Sequence, residues 1–304
     1  MNNLMCLALD QNYTLAHSVA TILKAPLLVP TISNFADGEI SLHVSEEVGW
    51  QNQEVVLIAA THNPVQESIM HALFLVHALK QRKIKRLTWI IPYCAYARQT
   101  VDSQNSAYQG NLGACARMMQ AVGVDQIVVV EPHDAEFSSL FSIPVQIIAV
   151  DQDIARDIQE KIPGWQECCI VAPDRGAVER AQMVANILSL PLVTCTKKRL
   201  SADVVKITQI EGYVGNRAAI IIDDILDTGG TALHTAQLLQ EKGVQKIYGY
   251  FVHGVFSCGV DVILNAGLFT SVHISPTVPQ PMRPKLHCFD IKQSLEEKLK
   301  QIFF

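Results

Sequence analysis

Short apolar runs rich in Val, Ile and Leu alternate with longer amphipathic stretches along the whole chain, the pattern of βαβ units whose strands are buried on both faces of a parallel sheet. In the first half the runs predict strands over 5–9, 26–29, 54–59, 86–91, 126–130 and 145–148, with helices over 12–23, 68–81 and 107–121. In the second half, strands fall over 169–172, 192–194, 218–222, 246–252 and 271–274, and helices over 177–188, 231–243 and 260–266. The tail, 294–304, reads as a short amphipathic helix. The two halves share length and rhythm without an exact repeat. That predicts an α/β chain of two similar domains, 1–149 and 150–304, each a mainly parallel sheet flanked by helices. With no low-complexity linker between them, a close interface is expected.

Length agrees, since 304 residues exceed the roughly 100–200 usual for one domain. Apolar residues make up 49% and charged residues 17%, which suits a packed globular chain and argues against extensive disorder. A net charge of -5 offers no global attraction to nucleic acid, although it leaves room for one cationic cleft. The start lacks a basic leader, and no apolar run reaches about 18 residues, so no membrane association and a cytoplasmic location are expected. Eight cysteines without C-x-x-C spacing are expected as reduced, mostly buried thiols.

The strongest local signal is Ala218-Ala-Ile-Ile-Ile-Asp-Asp-Ile-Leu-Asp-Thr-Gly-Gly-Thr231, a buried strand ending in carboxylates and leading into a helix. Asp227, Thr228, Gly229, Gly230 and Thr231 can present successive backbone N–H groups at a helix N-terminus, where a phosphate is held by hydrogen bonds and the helix dipole. Asp223 and Asp224 would repel that phosphate if they faced it. Sugar hydroxyls or a metal-bound water are their natural partners, so a phosphosugar is implied. The plain alternative is a loop whose Asp and Thr residues merely cap a helix.

This segment resembles the ribose-phosphate signature shared by type I phosphoribosyltransferases and phosphoribosyl pyrophosphate synthetases. Five further segments resemble the synthetases, and together they span nearly the whole chain. Asn34-Phe-Ala-Asp-Gly-Glu-Ile40, otherwise an ordinary Asp-Gly turn, is similar to a segment in which Phe35 would stack on adenine while Asp37 and Glu39 help recognise it in a neighbouring subunit's site. Pro92-Tyr-Cys-Ala-Tyr-Ala-Arg-Gln99 resembles a motif that assigns Arg98 and Gln99 to ATP, and a guanidinium there suits phosphate oxygens. The chain departs from the family at Thr100, where an acidic residue is usual.

Val128-Val-Val-Glu-Pro-His133 and Val171-Ala-Pro-Asp-Arg-Gly176 place a His and an Asp at strand ends. By the resemblance, His133 and Asp174 lie near the metal and the nucleotide phosphates, and Asp174, Arg175 and Gly176 form the pyrophosphate loop. Ala177 stands where a second glycine is frequent. Thr194-Cys-Thr-Lys-Lys-Arg-Leu-Ser201, by itself a solvated charge run, matches a mobile catalytic loop with Lys197 and Arg199 as its cations, and 202–206 resembles the archaeal-type branch.

The resemblance implies a fold of two phosphoribosyltransferase-like domains and a Mg²⁺-dependent ribose-phosphate diphosphokinase. Its co-substrates would be ATP and ribose 5-phosphate, and a site shared between subunits would make it a homo-oligomer. No metal-cage spacing appears in the sequence, so Mg²⁺ rests on the family and the chemistry. Rival readings are a catalytically silent synthetase-associated subunit and a type I phosphoribosyltransferase, the latter disfavoured by length.

Overall fold

The computed structural model describes residues 3–9, 13–99, 110–199, 205–212, 214–215 and 217–304, with 135, 197–199 and 205–209 described by backbone alone. The chain divides into two compact units, Met1–Ile148 with Leu295–Phe304, and Ala149–Ser294. The closing residues thus group with the first unit, whereas the sequence places all of 150–304 together. They belong to a helix with an apolar stripe at i and i+4, and both of its stripe residues, Leu295 and Leu299, are fully buried.

The first unit runs β1 (Leu4–Ala8), α1 (Thr14–Leu23), β2 (Leu27–Leu28), β3 (Thr31–Asn34), β4 (Ile40–His43), β5 (Glu54–Ile58), α2 (Val65–Gln81), β6 (Arg86–Ile91), α3 (Gly110–Ala121), β7 (Gln126–Val130) and β8 (Val145–Ile148). Its six-stranded sheet has the order β2-β1-β5-β6-β7-β8 and every pairing is parallel. Strands such as β7, buried at every position, explain why these runs are continuously apolar. Trp89 sits at the centre, fully buried, with its indole N–H donating to Ala59 O at 3.0 Å. The Asp37-Gly38 turn is more than the bare turn read from sequence. It closes an antiparallel hairpin, β3 with β4, in which Asn34 pairs with Ile40.

The second unit runs α4 (Asp151–Lys161), β9 (Cys168–Ala172), α5 (Val178–Leu188), β10 (Leu192–Arg199), β11 (Val205–Glu211), β12 (Ala218–Leu226), α6 (Gly230–Glu241), β13 (Ile247–Gly254), α7 (Val260–Asn265), β14 (Ser271–Ile274), β15 (Leu286–Cys288) and the start of α8 (Lys292–Phe303). Seven strands lie in the order β11-β10-β9-β12-β13-β14-β15, parallel except for β10 with β11. Two differences from expectation bear on the site. Strand β12 continues through both carboxylates to Leu226, because β13 pairs with it as far as Gly254. The cationic run expected as a loop after residue 194 is part of β10, held by pairing of Lys197, Lys198 and Arg199 with Ile207, Lys206 and Val205 beyond a bulge at Thr196/Lys197.

All eight cysteines are free and six are buried. Burial pushes the thiols of Cys6 and Cys94 up to about 12, which makes them inert packing groups.

Candidate active site

In the second unit the chain enters the sheet at β9, goes to β10 on one side, and then crosses to β12 on the other. The loops leaving β9 and β12 therefore part in opposite directions at the strands' carboxyl ends. A crevice at that switch point is where open α/β sheets bind ligands. The first loop carries Asp174, Arg175 and Gly176; the second carries 227–231.

Asp174 Oδ1 accepts from the Ala177 N–H at 3.2 Å, which caps the approach to α5. Ala177 has φ -83° and ψ -9°, ordinary right-handed values, so the family's frequent glycine is not required there. On β12, Asp224 is 6% exposed and its N–H donates to Asp223 Oδ1 at 2.9 Å. Burial first, then the charges of Asp224 and Asp174, raise the Asp223 carboxyl well above its ordinary range. The crevice thus gathers Asp174, Asp223 and Asp224 closely enough that their charges oppose one another.

Beside them, Gly229 turns the chain with φ 81° and ψ -1°. A Cβ there would lie 2.8 Å from Ile263 Cγ1, so both conformation and space demand glycine. Helix α6 follows with no side-chain N-cap and no acidic residue in its first turn, and Leu233 N–H donates back to Gly229 O at 2.8 Å. The amides of Gly230, Thr231 and Ala232 precede that first intrahelical bond and form the positive end of the helix. Thr228 and Gly230 are exposed beside them. Asp227 is engaged otherwise: its Oδ1 accepts from the Ser257 N–H at 3.1 Å and from the Ser257 hydroxyl. Nothing in the sequence pattern singles out Ser257, which stands 30 positions away.

Lys197 and Arg199 lie on β10, the strand flanking β9, and their side chains fall outside the described residues. Thr100 and 202–204 lie outside them as well. The remaining predicted residues belong to the first unit. Phe35 is 60% exposed at the tip of the β3–β4 hairpin, where its N–H donates to Glu39 O at 2.8 Å and the Glu39 N–H donates to Asp37 Oδ1 at 3.1 Å. Arg98 and Gln99 are exposed in the turn after β6, with Gln99 Oε1 accepting from Asn111 Nδ2 at 2.6 Å. That turn is fastened by Thr61, also unmarked by sequence: its hydroxyl donates to Tyr93 O at 3.1 Å and accepts from the Ala95 N–H at 2.7 Å. His133 is exposed after β7.

Among the described residues, no group of three or more His, Cys, Asp or Glu side chains is arranged to hold a metal ion, and no helix is long and apolar enough to cross a membrane.

Comparison with known proteins bears on both units. A family model described as the N-terminal domain of ribose phosphate pyrophosphokinase matches residues 4–123, and another described as the phosphoribosyl synthetase-associated domain matches 178–304. The ribose-phosphate pyrophosphokinase of Burkholderia pseudomallei is 31% identical over 278 residues, covering 91% of this chain and 86% of that protein. The enzyme of the same name from Dictyostelium discoideum, form A, is 30% identical over 293 residues, covering 94% and 90%. Among solved structures, phosphoribosylpyrophosphate synthetase from Mycobacterium smegmatis matches with a TM-score of 0.87 and 26% identity over 99% of each chain.

Proposed function

The chain belongs to the ribose-phosphate pyrophosphokinase family, and on that premise we propose that it transfers the β,γ-diphosphoryl group of Mg-ATP to the anomeric hydroxyl of ribose 5-phosphate, giving phosphoribosyl pyrophosphate and AMP. One observation carries the substrate reading: a helix N-terminus whose N-cap is the glycine of a left-handed turn and a cluster of carboxylates share the switch point of one sheet. The amides of Gly229, Gly230 and Thr231 with the Thr228 hydroxyl hold the 5-phosphate. Asp223 and Asp224 take the ribose hydroxyls, orienting the anomeric oxygen for in-line attack.

Lys197 and Arg199 stabilise charge on the transferred group, with Arg175 and Gly176 bounding its pocket. Phe35, Asp37, Glu39, Arg98, Gln99 and His133 bind the nucleotide. The Phe35 tip, exposed as it is, suits a site completed by a neighbouring copy, so the active form is read as a homo-oligomer.

Asp174, Asp223 and Asp224 offer hard oxygen donors of the kind Mg²⁺ prefers, close enough together that the charges of Asp224 and Asp174 help raise the Asp223 carboxyl. One or two carboxylates plus substrate phosphates are how this ion is usually held, and the family resemblance assigns Asp174 and His133 to it. When bound, the ion neutralises charge on the diphosphoryl group.

Incubation of the protein with Mg-ATP and ribose 5-phosphate, followed by chromatography, should yield AMP and phosphoribosyl pyrophosphate in equal amounts. A catalytically silent synthetase-associated subunit, the rival reading, would bind both substrates and form neither product.

A further inference from the structure

The grip of Ser257 on Asp227 is a built feature of the crevice that the reaction as read above does not use. A carboxylate aimed into an anion site would repel a phosphate dianion. Asp227, the first residue of that turn, has its Oδ1 drawn to the N–H and hydroxyl of Ser257. The segment bearing Ser257 is itself fixed. Val255 and Phe256 N–H both donate to Leu226 O, at 2.8 and 3.2 Å, joining the end of β13 to the last residue of β12. Phe256 then adopts φ 50°, a conformation unfavourable for a bulky side chain, and buries its ring to 6% exposure. Gly254 makes the space for it, since a Cβ there would lie 2.6 Å from Phe256 Cε2. Gly259 N–H closes the turn onto Phe256 O at 2.8 Å. Backbone strain retained under such compensation points to a required geometry, and here the geometry delivers Ser257 to Asp227.

We propose that Ser257 is a positioning residue for ribose 5-phosphate: by holding the Asp227 carboxylate, it fixes the entry to the Gly229–Thr231 turn and keeps that negative charge from the bound phosphate. The proposal rests on reading 227–231 as the sugar-phosphate site, and it makes Asp227 part of the scaffold of that site, not a ligand.

Ser257 is exposed, so a β-branched side chain has room. Ser257→Val removes the hydroxyl and Ser257→Thr retains it. Calorimetric titration with ribose 5-phosphate should show about tenfold weaker binding to the Val variant, the scale of one hydrogen bond to a charged group. The Thr variant should stay within about twofold of wild type, and in the Val variant KM for the sugar should rise while KM for ATP and kcat hold. Equal weakening in both variants, unchanged affinity in the Val variant, or a loss confined to kcat would overturn the role. A wild-type protein that binds ribose 5-phosphate without forming product sinks the enzymatic reading alone and leaves the affinity comparison to decide on Ser257. One that does not bind the sugar at all sinks both.

Discussion

Both units begin their sheets in the middle, at β1 and at β9, send the next strand to one side, and cross to β5 or β12 on the other. The frame is the same, yet the two switch points carry opposite chemistry. Strand β12 carries adjacent carboxylates and leads to a glycine turn, and α6 begins with no side-chain bond at its N-cap and no acidic residue in its first turn. Strand β5 leads into Ala59, Ala60, Thr61, His62, Asn63 and Pro64, and α2 has Glu67 in its first turn, which disfavours an anion there. Of the polar side chains of that loop, Thr61 is turned inward. It is 1% exposed and serves the turn after β6, and His62 O accepts from Ser68 Oγ at 2.9 Å. The topology supplies the crevice; residue chemistry decides whether it holds a phosphate or holds the protein together.

The contrast extends to the neighbouring strand, where β2 has two residues and β10 has eight, including the cationic run. Lys197→Ala should lower kcat by about 10²–10³, the scale of a group acting only in the transition state, with sugar affinity retained. Steady-state kinetics with ribose 5-phosphate varied would check this, and equal losses in kcat and affinity would move Lys197 to ground-state binding.

A smaller effect is expected in the first unit. Thr61→Val keeps shape but leaves the buried Ala95 N–H without its acceptor, so denaturant unfolding should show a loss of about 1–3 kcal/mol. Ribose 5-phosphate affinity should not change. A variant that weakens sugar binding would break the contrast, since it would give this loop a share in the ligand site.

How much of this was legible depends on which signals are local. Strands over 86–91, 126–130, 145–148 and 271–274 fall where the apolar runs predict, and β6 and β7, interior strands covered on both faces, are apolar over most of their length. Helix α4 carries a weak apolar signal because its buried apolar residues are just Ile154, Ala155 and Ile158 among charges. Strands β3, β4 and β11 mix polar and apolar residues in antiparallel hairpins, so their pairing, not their own pattern, makes them strands. In the site, Asp223, Asp224 and the Gly229 turn could be read from residue type and spacing. Ser257 and Thr61 could not, because each acts through partners about 30 or more positions away and belongs to no local motif.

The smallest predicted effect has the opposite sign, and it tests whether the crevices differ in charge or merely in shape. Burial, then Asp224, then Asp174, hold the Asp223 carboxyl above its ordinary value of 3.8. A raised value means the folded state keeps a proton that the unfolded chain releases. The associated stability is complete below the unfolded value and is lost as pH rises through the folded one. Asp223→Asn keeps the shape and removes the charge, so the metal-free apoprotein should gain about 1 kcal/mol at neutral pH, as when a functional site's strain is relieved. That gain should shrink as pH falls toward the ordinary carboxylate range, while ribose 5-phosphate use is impaired throughout. The end of β5, Leu57 and Ile58, is apolar and has no such pH term. Thermal unfolding of variant and wild type across pH decides the matter: a gain that ignores pH, or a destabilised variant, would mean that Asp223 is already compensated in the free protein and that the two crevices differ in shape alone.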